Sequence, residues 1–274
     1  TSLQDAGRFG LQRFGVSPAG AMDPLALAAA NALVGNAATE AALEFGMLGG
    51  DFVVEDGPAH LAVVGASLTV DGTPVPPLTS VVVTEGARLR VGAARDGVYA
   101  YLAAEGGFNL EPAMGSLSLH RRSAIGPGAP MPGHRLPLRA ASGSGPNILP
   151  SLVRPEEGPV RVMLGPQRDR FTDEAVETFL SQPYTVSPRS DRMGTRLSGP
   201  VLAHASGYNI VSDGIVTGHV QVPGDGQPIV LMRDRQTTGG YPKIAGIISA
   251  DLPRFAQLRP GASVRFRAVE RDEA

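Results

Sequence analysis

The sequence predicts a mainly β protein, built from barrels or sandwiches with two or so short helices. Three observations carry that expectation. Twelve short runs of β-branched, aromatic and aliphatic residues recur along the chain, and only two segments show a helical period. The 35 Gly and 24 Pro among 274 residues imply frequent tight turns. A parallel βαβ architecture would need far more helix.

The first element with clear boundaries is a helix from Asp23 to Val34. Asp23 stands where a side chain accepts from first-turn amides, Pro24 suits the first helical position, and Gly35 suits the left-handed residue beyond the end. Its alanine-rich interior predicts close packing against a sheet. Strands are expected at 52–54, 61–64, 68–70, 81–84, 89–91 and 98–102. After a break, further strands are expected at 160–164, 208–211, 219–222, 229–232, 244–248 and 264–269. A second helix starts at Thr172 as N-cap, with Asp173 and Glu174 at its positive end and Val176, Phe179 and Leu180 on one face. The pairs Asp71-Gly72, Glu85-Gly86, Asp96-Gly97, Asp213-Gly214 and Asp225-Gly226 read as turns in which glycine supplies a positive φ.

Residues 111 to 159 are rich in Gly, Pro and Ser, notably Gly126-Pro127-Gly128 and Ser142-Gly143-Ser144-Gly145-Pro146. Such composition holds neither a helix nor a central strand, so a boundary is expected near 155. It separates an N-terminal β subdomain, 1–155, from a C-terminal one, 156–274. One continuous domain with a long surface loop is the alternative.

Composition narrows the function classes. The formal charge is -2 and no run of Lys or Arg could neutralise a track of phosphates, which argues against nucleic acid. The strongly apolar helical run Leu25 to Ala30 is far shorter than the roughly 20 residues that cross a bilayer. No signal-peptide pattern is read. Zero Cys removes disulfides, thiolate nucleophiles and cysteine metal sites. A soluble cytoplasmic protein is expected. His60, His120, His134, His204 and His219 lack metal-ligand spacing and are expected to be structural or solvated.

P-loop and nucleophile-elbow patterns are missing. Chemistry-bearing residues concentrate instead in Asp234-Arg235-Gln236-Thr237-Thr238-Gly239-Gly240-Tyr241-Pro242-Lys243, directly after an apolar strand. Two hydroxyls and two glycines there suit a nest of converging amides around an oxyanion, or else a plain hairpin turn. Lys243 is the single lysine beside 23 arginines, which hints at a need for a compact or titratable cation. Further candidates are Ser190-Asp191-Arg192-Met193-Gly194, the loop opened by Gln221-Val222-Pro223, and the N-terminal Gln4-Asp5-Ala6-Gly7-Arg8. Each reads equally as a surface ion pair or a turn.

These segments also carry a family resemblance. The opening Thr1-Ser2-Leu3-Gln4-Asp5-Ala6-Gly7-Arg8, the helix start Gly20-Ala21-Met22-Asp23, the stretch from Ala30 to Asn36, and Leu43-Glu44 resemble the family of allophanate hydrolase subunit 2 and the 5-oxoprolinase C component. Gly165-Pro166-Gln167, Ser190 to Gly194, Gln221-Val222-Pro223 and Thr237 to Pro242 match its second half in order. The resemblance implies cyclophilin-like β-barrel subdomains, described as biotin-dependent carboxyltransferase-like. It implies the C component of an ATP-dependent 5-oxoprolinase, a hydrolase opening 5-oxoproline to glutamate. That enzyme would be a hetero-complex with an A component and a kinase-inhibitor-like B component of the allophanate hydrolase subunit 1 type. Alternatives are a carboxyltransferase or allophanate hydrolase subunit 2 of a urea-degrading system, and a non-catalytic antagonist of a kinase inhibitor. ATP is expected at the level of the complex. Biotin is not expected for this chain alone, which has no Met-Lys-Met carrier segment.

On that reading Lys243, Thr237, Thr238 and the Gly239 and Gly240 amides would stabilise developing negative charge. Asp191, or Asp234, would orient a proton in transfer. Arg192 and Gln221 would hold the substrate carboxylate and amide edge, with Tyr241 and Gln4 completing the binding set.

Overall fold

The computed structural model describes all residues except 96, 142, 144, 153–157 and 274. The expected turn at Asp96 and the expected boundary near 155 lie outside the described residues. The chain divides into two compact units, one of Thr1–Arg8 with Ala19–Arg154, the other of Phe9–Pro18 with Pro155–Ala274. Segment Phe9–Pro18 thus groups with the second unit, and Ser17 Oγ donates to the Arg233 carbonyl at 3.3 Å.

The first unit carries β1 (Ser2–Gln4), β2 (Ala42–Gly46), β3 (Gly50–Val53), β4 (Ala59–Val64), β5 (Ala66–Val70), β6 (Thr73–Val75), β7 (Ser80–Val83), β8 (Arg88–Ala94) and β9 (Tyr99–Ala104). They form a five-stranded sheet, β1-β2-β9-β4-β7, and a four-stranded one, β3-β8-β5-β6. Alternation along β8 buries Leu89 and Val91 and exposes Arg88 and Arg90, as one face of a sheet on a core requires. Leu43, Phe45, Leu61, Val63, Leu89 and Leu102 belong to the core cluster to which both sheets contribute.

Helix α1 (Pro24–Leu33) begins where expected: Asp23 accepts from the Leu25 and Ala26 amides at 3.1 and 3.0 Å, and Gly35 takes φ 73°. Its small residues Ala26, Ala29 and Ala30 cluster with Ala42 of β2, Ala62 of β4 and Ala103 of β9, which lets helix and sheet approach closely. Leu27 and Leu33 are sealed in the same layer, each worth about 1.5–3 kcal/mol of apolar burial.

The second unit carries β10 (Val160–Leu164), β11 (Tyr184–Val186), β12 (Gly194–Ser198), β13 (Asp213–Gly214), β14 (His219–Gln221), β15 (Ile229–Leu231), β16 (Thr238–Gly239), β17 (Lys243–Ile247), β18 (Ser263–Val264) and β19 (Phe266–Ala268). Eight form one sheet in the order β18-β11-β12-β15-β14-β17-β10-β19. Its two edge strands are consecutive in the chain, joined by Arg265 alone, so the sheet is nearly a closed barrel. The remaining two, β13 and β16, pair as a separate antiparallel ribbon.

Helix α2 (Asp173–Ser181) is capped by Thr172, whose hydroxyl accepts from the Ala175 amide at 3.1 Å. It buries Ala175, Val176 and Phe179, and Phe179 stacks on Phe266 of β19 with ring centroids 4.6 Å apart. A third helix, α3 (Leu252–Ala256), was not anticipated; its five residues are too few to show a period. Two expectations fail. Residues 208–211 form no strand, and Val211 is 91% exposed, because that segment has no core face to bury. Asp213-Gly214 is no positive-φ turn but β13 itself, paired with β16.

Candidate functional site

Ten of the eleven residues singled out by sequence lie in the second unit, and the barrel gathers part of them. Antiparallel β14 and β17 set Gln221 opposite Lys243, with a register shift beside Gln221. The β13–β16 ribbon sets Asp213 opposite Gly239. Lys243 is 1% exposed, yet its Nζ donates at 3.1 Å to Asp213 Oδ2, whose side chain is 55% exposed. A buried ammonium is tolerated only with such a partner. The cation is therefore buried while its counter-ion faces solvent.

Gln167 braces the same strand, its Oε1 accepting from the Lys243 amide at 3.3 Å. The approach depends on Gly165, where a Cβ would collide with the Lys243 carbonyl. The hydrogen bond from Lys243, then that from the Gly214 amide, hold the Asp213 carboxyl below its ordinary range. Half-buried His219 is pushed down to about 4, first by burial and then by the positive Lys243 and Arg235, so it is neutral at physiological pH. Its Nδ1 accepts from the Val216 amide at 3.2 Å. Arg235 is buried, donating to the Ile215 carbonyl at 3.4 Å and to Thr217 Oγ1 at 2.8 Å, and burial lowers it to about 10.

The two glycines have a different role from the one expected. Neither has a positive φ, so no nest of amides forms there. Gly239 lies in β16, and Gln221 Nε2 sits 2.5 Å from where its Cβ would be. The same Nε2 donates to the Tyr241 carbonyl at 3.2 Å. Glycine thus leaves the room that the Gln221 amide occupies, which a Cβ could take only by moving that side-chain end. Gly240 accepts from the Ile210 amide at 2.9 Å and Thr237 from the Ile215 amide at 3.2 Å, each through its carbonyl. Thr238 is exposed on β16, and the Tyr241 side chain is 40% exposed.

Other expected roles meet prior commitments. Arg192 and Asp234 bind each other in a bidentate pair, Nε to Oδ2 at 2.9 Å and Nη2 to Oδ1 at 2.8 Å. Asp234 is 4% exposed, so its carboxylate is a poor proton carrier and its arginine a poor free clamp. Asp191 is exposed and accepts from the Met193 and Gly194 amides at 2.8 and 3.1 Å, the geometry of a side chain holding a turn. Gln4 belongs to the first unit, is fully buried, and donates to Ser2 Oγ and the Leu119 carbonyl, both at 3.0 Å. Its position is that of a strand residue, not of a surface that meets substrate.

Sequence reasoning missed Asp213, Gln167 and His219 as site members. Gly165-Pro166-Gln167 carried a usable signal, because a glycine two residues before a polar side chain permits close backbone approach. Asp213 had none beyond an Asp-Gly pair that reads as a turn. The assembled cradle of Lys243, Asp213, Gln167, Gln221 and neutral His219 offers an ammonium, amide donors and a carboxylate within one small polar site. Such a set can hold and polarise a carbonyl or carboxylate oxygen.

Comparison with known proteins gives consistent relatives. The family described as "Carboxyltransferase domain, subdomain A and B" matches residues 14–268. The chain is 38% identical over 284 residues to the 5-oxoprolinase C component of Haemophilus influenzae, covering 100% of this chain and 89% of that protein. The solved structure of TTHA0988 superposes with a TM-score of 0.87 at 33% identity, over 97% of this chain and 53% of that one. This chain thus spans about half the length of that protein. The K. lactis urea amidolyase structure superposes with a TM-score of 0.88 at 27% identity, over 98% of this chain and 18% of that one.

Proposed function

Given that the chain belongs to the carboxyltransferase family of subdomains A and B, to which it is matched from residue 14 to 268, we propose that it is the C component of an ATP-dependent 5-oxoprolinase. In this reading it opens 5-oxoproline to glutamate within a hetero-complex that also contains the A and B components, and its barrels are cyclophilin-like. The end-to-end similarity to a 5-oxoprolinase C component is the observation that carries the proposal.

A lactam carbonyl is a poor electrophile because amide resonance donates into it, so ring opening needs stabilised negative charge on oxygen. Lys243 Nζ is the donor we assign to that oxygen, held in place by Asp213 and Gln167. Gln221 and the Thr238 hydroxyl take the polar edge of the substrate. Neutral His219 adds no competing positive charge at physiological pH. Hydrolysis of ATP in the complex supplies the free energy that drives the ring opening. Lys243 is already paired with Asp213, and the neighbouring Arg235 already donates to the Ile215 carbonyl and the Thr217 hydroxyl, which is a poor fit for a triphosphate. We therefore assign nucleotide binding to a partner protein of the complex.

The test is glutamate release from 5-oxoproline and ATP by the complex, with this chain present, omitted, or carrying Lys243→Ala. Loss on omission with survival of Lys243→Ala would leave an accessory role and remove the catalytic one. A second reading, a carboxyltransferase part of a urea-degrading enzyme, is favoured by the superposition on urea amidolyase. It predicts activity that depends on biotin and bicarbonate, which supplying or withholding each would reveal.

A further inference from the structure

Lys243 is 1% exposed, so a substrate oxygen reaches its ammonium only if something moves. The ammonium donates to Asp213 Oδ2, and Asp213 sits on a segment that is almost all surface. Every residue from 205 to 214 is exposed except half-buried Ile210, and Val211 within that run is 91% exposed. A buried ammonium whose acceptor is half in water makes the acceptor's strand part of the cover over the lysine.

The two partners are held very differently. Lys243 opens β17, which lies between β14 and β10 in the eight-stranded sheet. Asp213 belongs to a ribbon of two residues on each side, with Asp213 opposite Gly239 and Gly214 opposite Thr238. One further bond, from the Ile210 amide to the Gly240 carbonyl at 2.9 Å, ties the segment down ahead of the ribbon. The segment is anchored at both ends. The Tyr208 ring lies against Gly224, where a Cβ would stand 3.1 Å from three of its ring atoms. Ile215 is buried, and its carbonyl accepts from Arg235 Nε at 3.4 Å. Between these anchors no residue is fully buried, so lifting 209–214 uncovers little apolar surface and breaks few hydrogen bonds. Moving a central strand such as β17 would disrupt two ladders.

We propose that Asp213 is a displaceable latch: a ligand oxygen that carries or gains negative charge takes Lys243 Nζ in its place, and residues 209–214 lift from β16 to admit it. Asp213 is then a positioning residue, which keeps the ammonium ready and favours an anionic oxygen, because a neutral one competes poorly with a carboxylate for an ammonium. The inference deepens the oxoprolinase reading and rests on it for the identity of the ligand, while the latch itself is tested on this chain alone.

The experiment joins hydrogen exchange of the full chain to kinetics of the complex. In Asp213→Asn the amides of 209–215 should exchange about tenfold faster than in the parent, with those of β10 and β17 unchanged. Val211→Ala, on the same segment, should exchange as the parent does. In the complex, Asp213→Asn should lower the KM for 5-oxoproline several-fold and keep kcat, since substrate no longer displaces a carboxylate. Unchanged exchange in Asp213→Asn, acceleration spread across the barrel, equal acceleration in Val211→Ala, or a KM that rises would each overturn the latch. Failure of the oxoprolinase reading shows separately, as turnover that does not depend on this chain, and exchange then decides the latch by itself.

Discussion

In the first unit, two buried clusters of polar side chains pair among themselves, although Gln4 Oε1 nearby is buried without a hydrogen-bond partner among the described residues. Glu44 accepts from the Met22 amide at 2.8 Å and from the Tyr101 hydroxyl at 2.7 Å, and that hydroxyl accepts from the Asp23 amide at 2.8 Å. His60 bridges Glu105 at 3.0 Å and Ser80 at 2.8 Å, and Ser80 Oγ accepts from the Asn147 amide at 2.7 Å. The side chains of Glu44, Tyr101, His60, Glu105 and Ser80 are all buried. In the second unit a deeply buried charge, Lys243, looks to an aspartate that is half in water. Closed networks of this kind lock strands together, whereas a buried charge with an exposed partner has a face on which a ligand oxygen can compete.

The largest test of that contrast is Lys243→Ala. It should lower glutamate release by the complex about 10²-fold or more while leaving the fold intact, with denaturant unfolding as the control. Glu44→Ala should do the reverse. Leaving the Tyr101 hydroxyl and Met22 amide without their acceptor should cost about 3 kcal/mol in chemical denaturation, with activity per folded molecule retained. Equal losses of activity in both variants would erase the distinction between the units.

A smaller effect concerns Asp251, fully buried between Arg161 and Arg254. Burial raises its carboxyl, but the hydrogen bonds from the two arginines outweigh it and hold the group at about 2, against 3.8 ordinarily. A depressed folded-state value means stability that is present above about pH 4 and lost as pH falls toward 2. Asp251→Asn should therefore remove about 2 kcal/mol at neutral pH and flatten the acid limb of the unfolding profile. The smallest change is Gly239→Ala. Its Cβ must displace Gln221 Nε2, the end of a flexible side chain, so KM should rise several-fold with stability altered by less than about 1 kcal/mol.

Elements with local boundary chemistry were legible in the sequence. Asp23, Pro24 and Gly35 define α1, and Thr172 defines α2, because a cap acts on amides within its own turn. Short strands without a turn signal were not: β1, β2, β11 and β12 are long-range pairings that acquire their identity from a neighbour. Among site residues Lys243 and Gln221 stood out by composition and motif, and both are in the cradle. Asp191, Arg192, Asp234 and Gln4 stood out equally. They are held by a turn, by each other and by the first unit's core.

The sequence by itself determined a mainly β chain with two capped helices and a polar, glycine-rich segment ending in its one lysine. Those are properties of residue type, spacing and nearest neighbours. The tertiary structure decided that Asp213 and Gln167 hold Lys243, that Gly239 makes room for Gln221, and that Arg192 and Asp234 pair. These contacts join residues far apart in the chain, and only the β14–β17 ladder, together with the separate β13–β16 ribbon, sets which polar groups meet and which remain open.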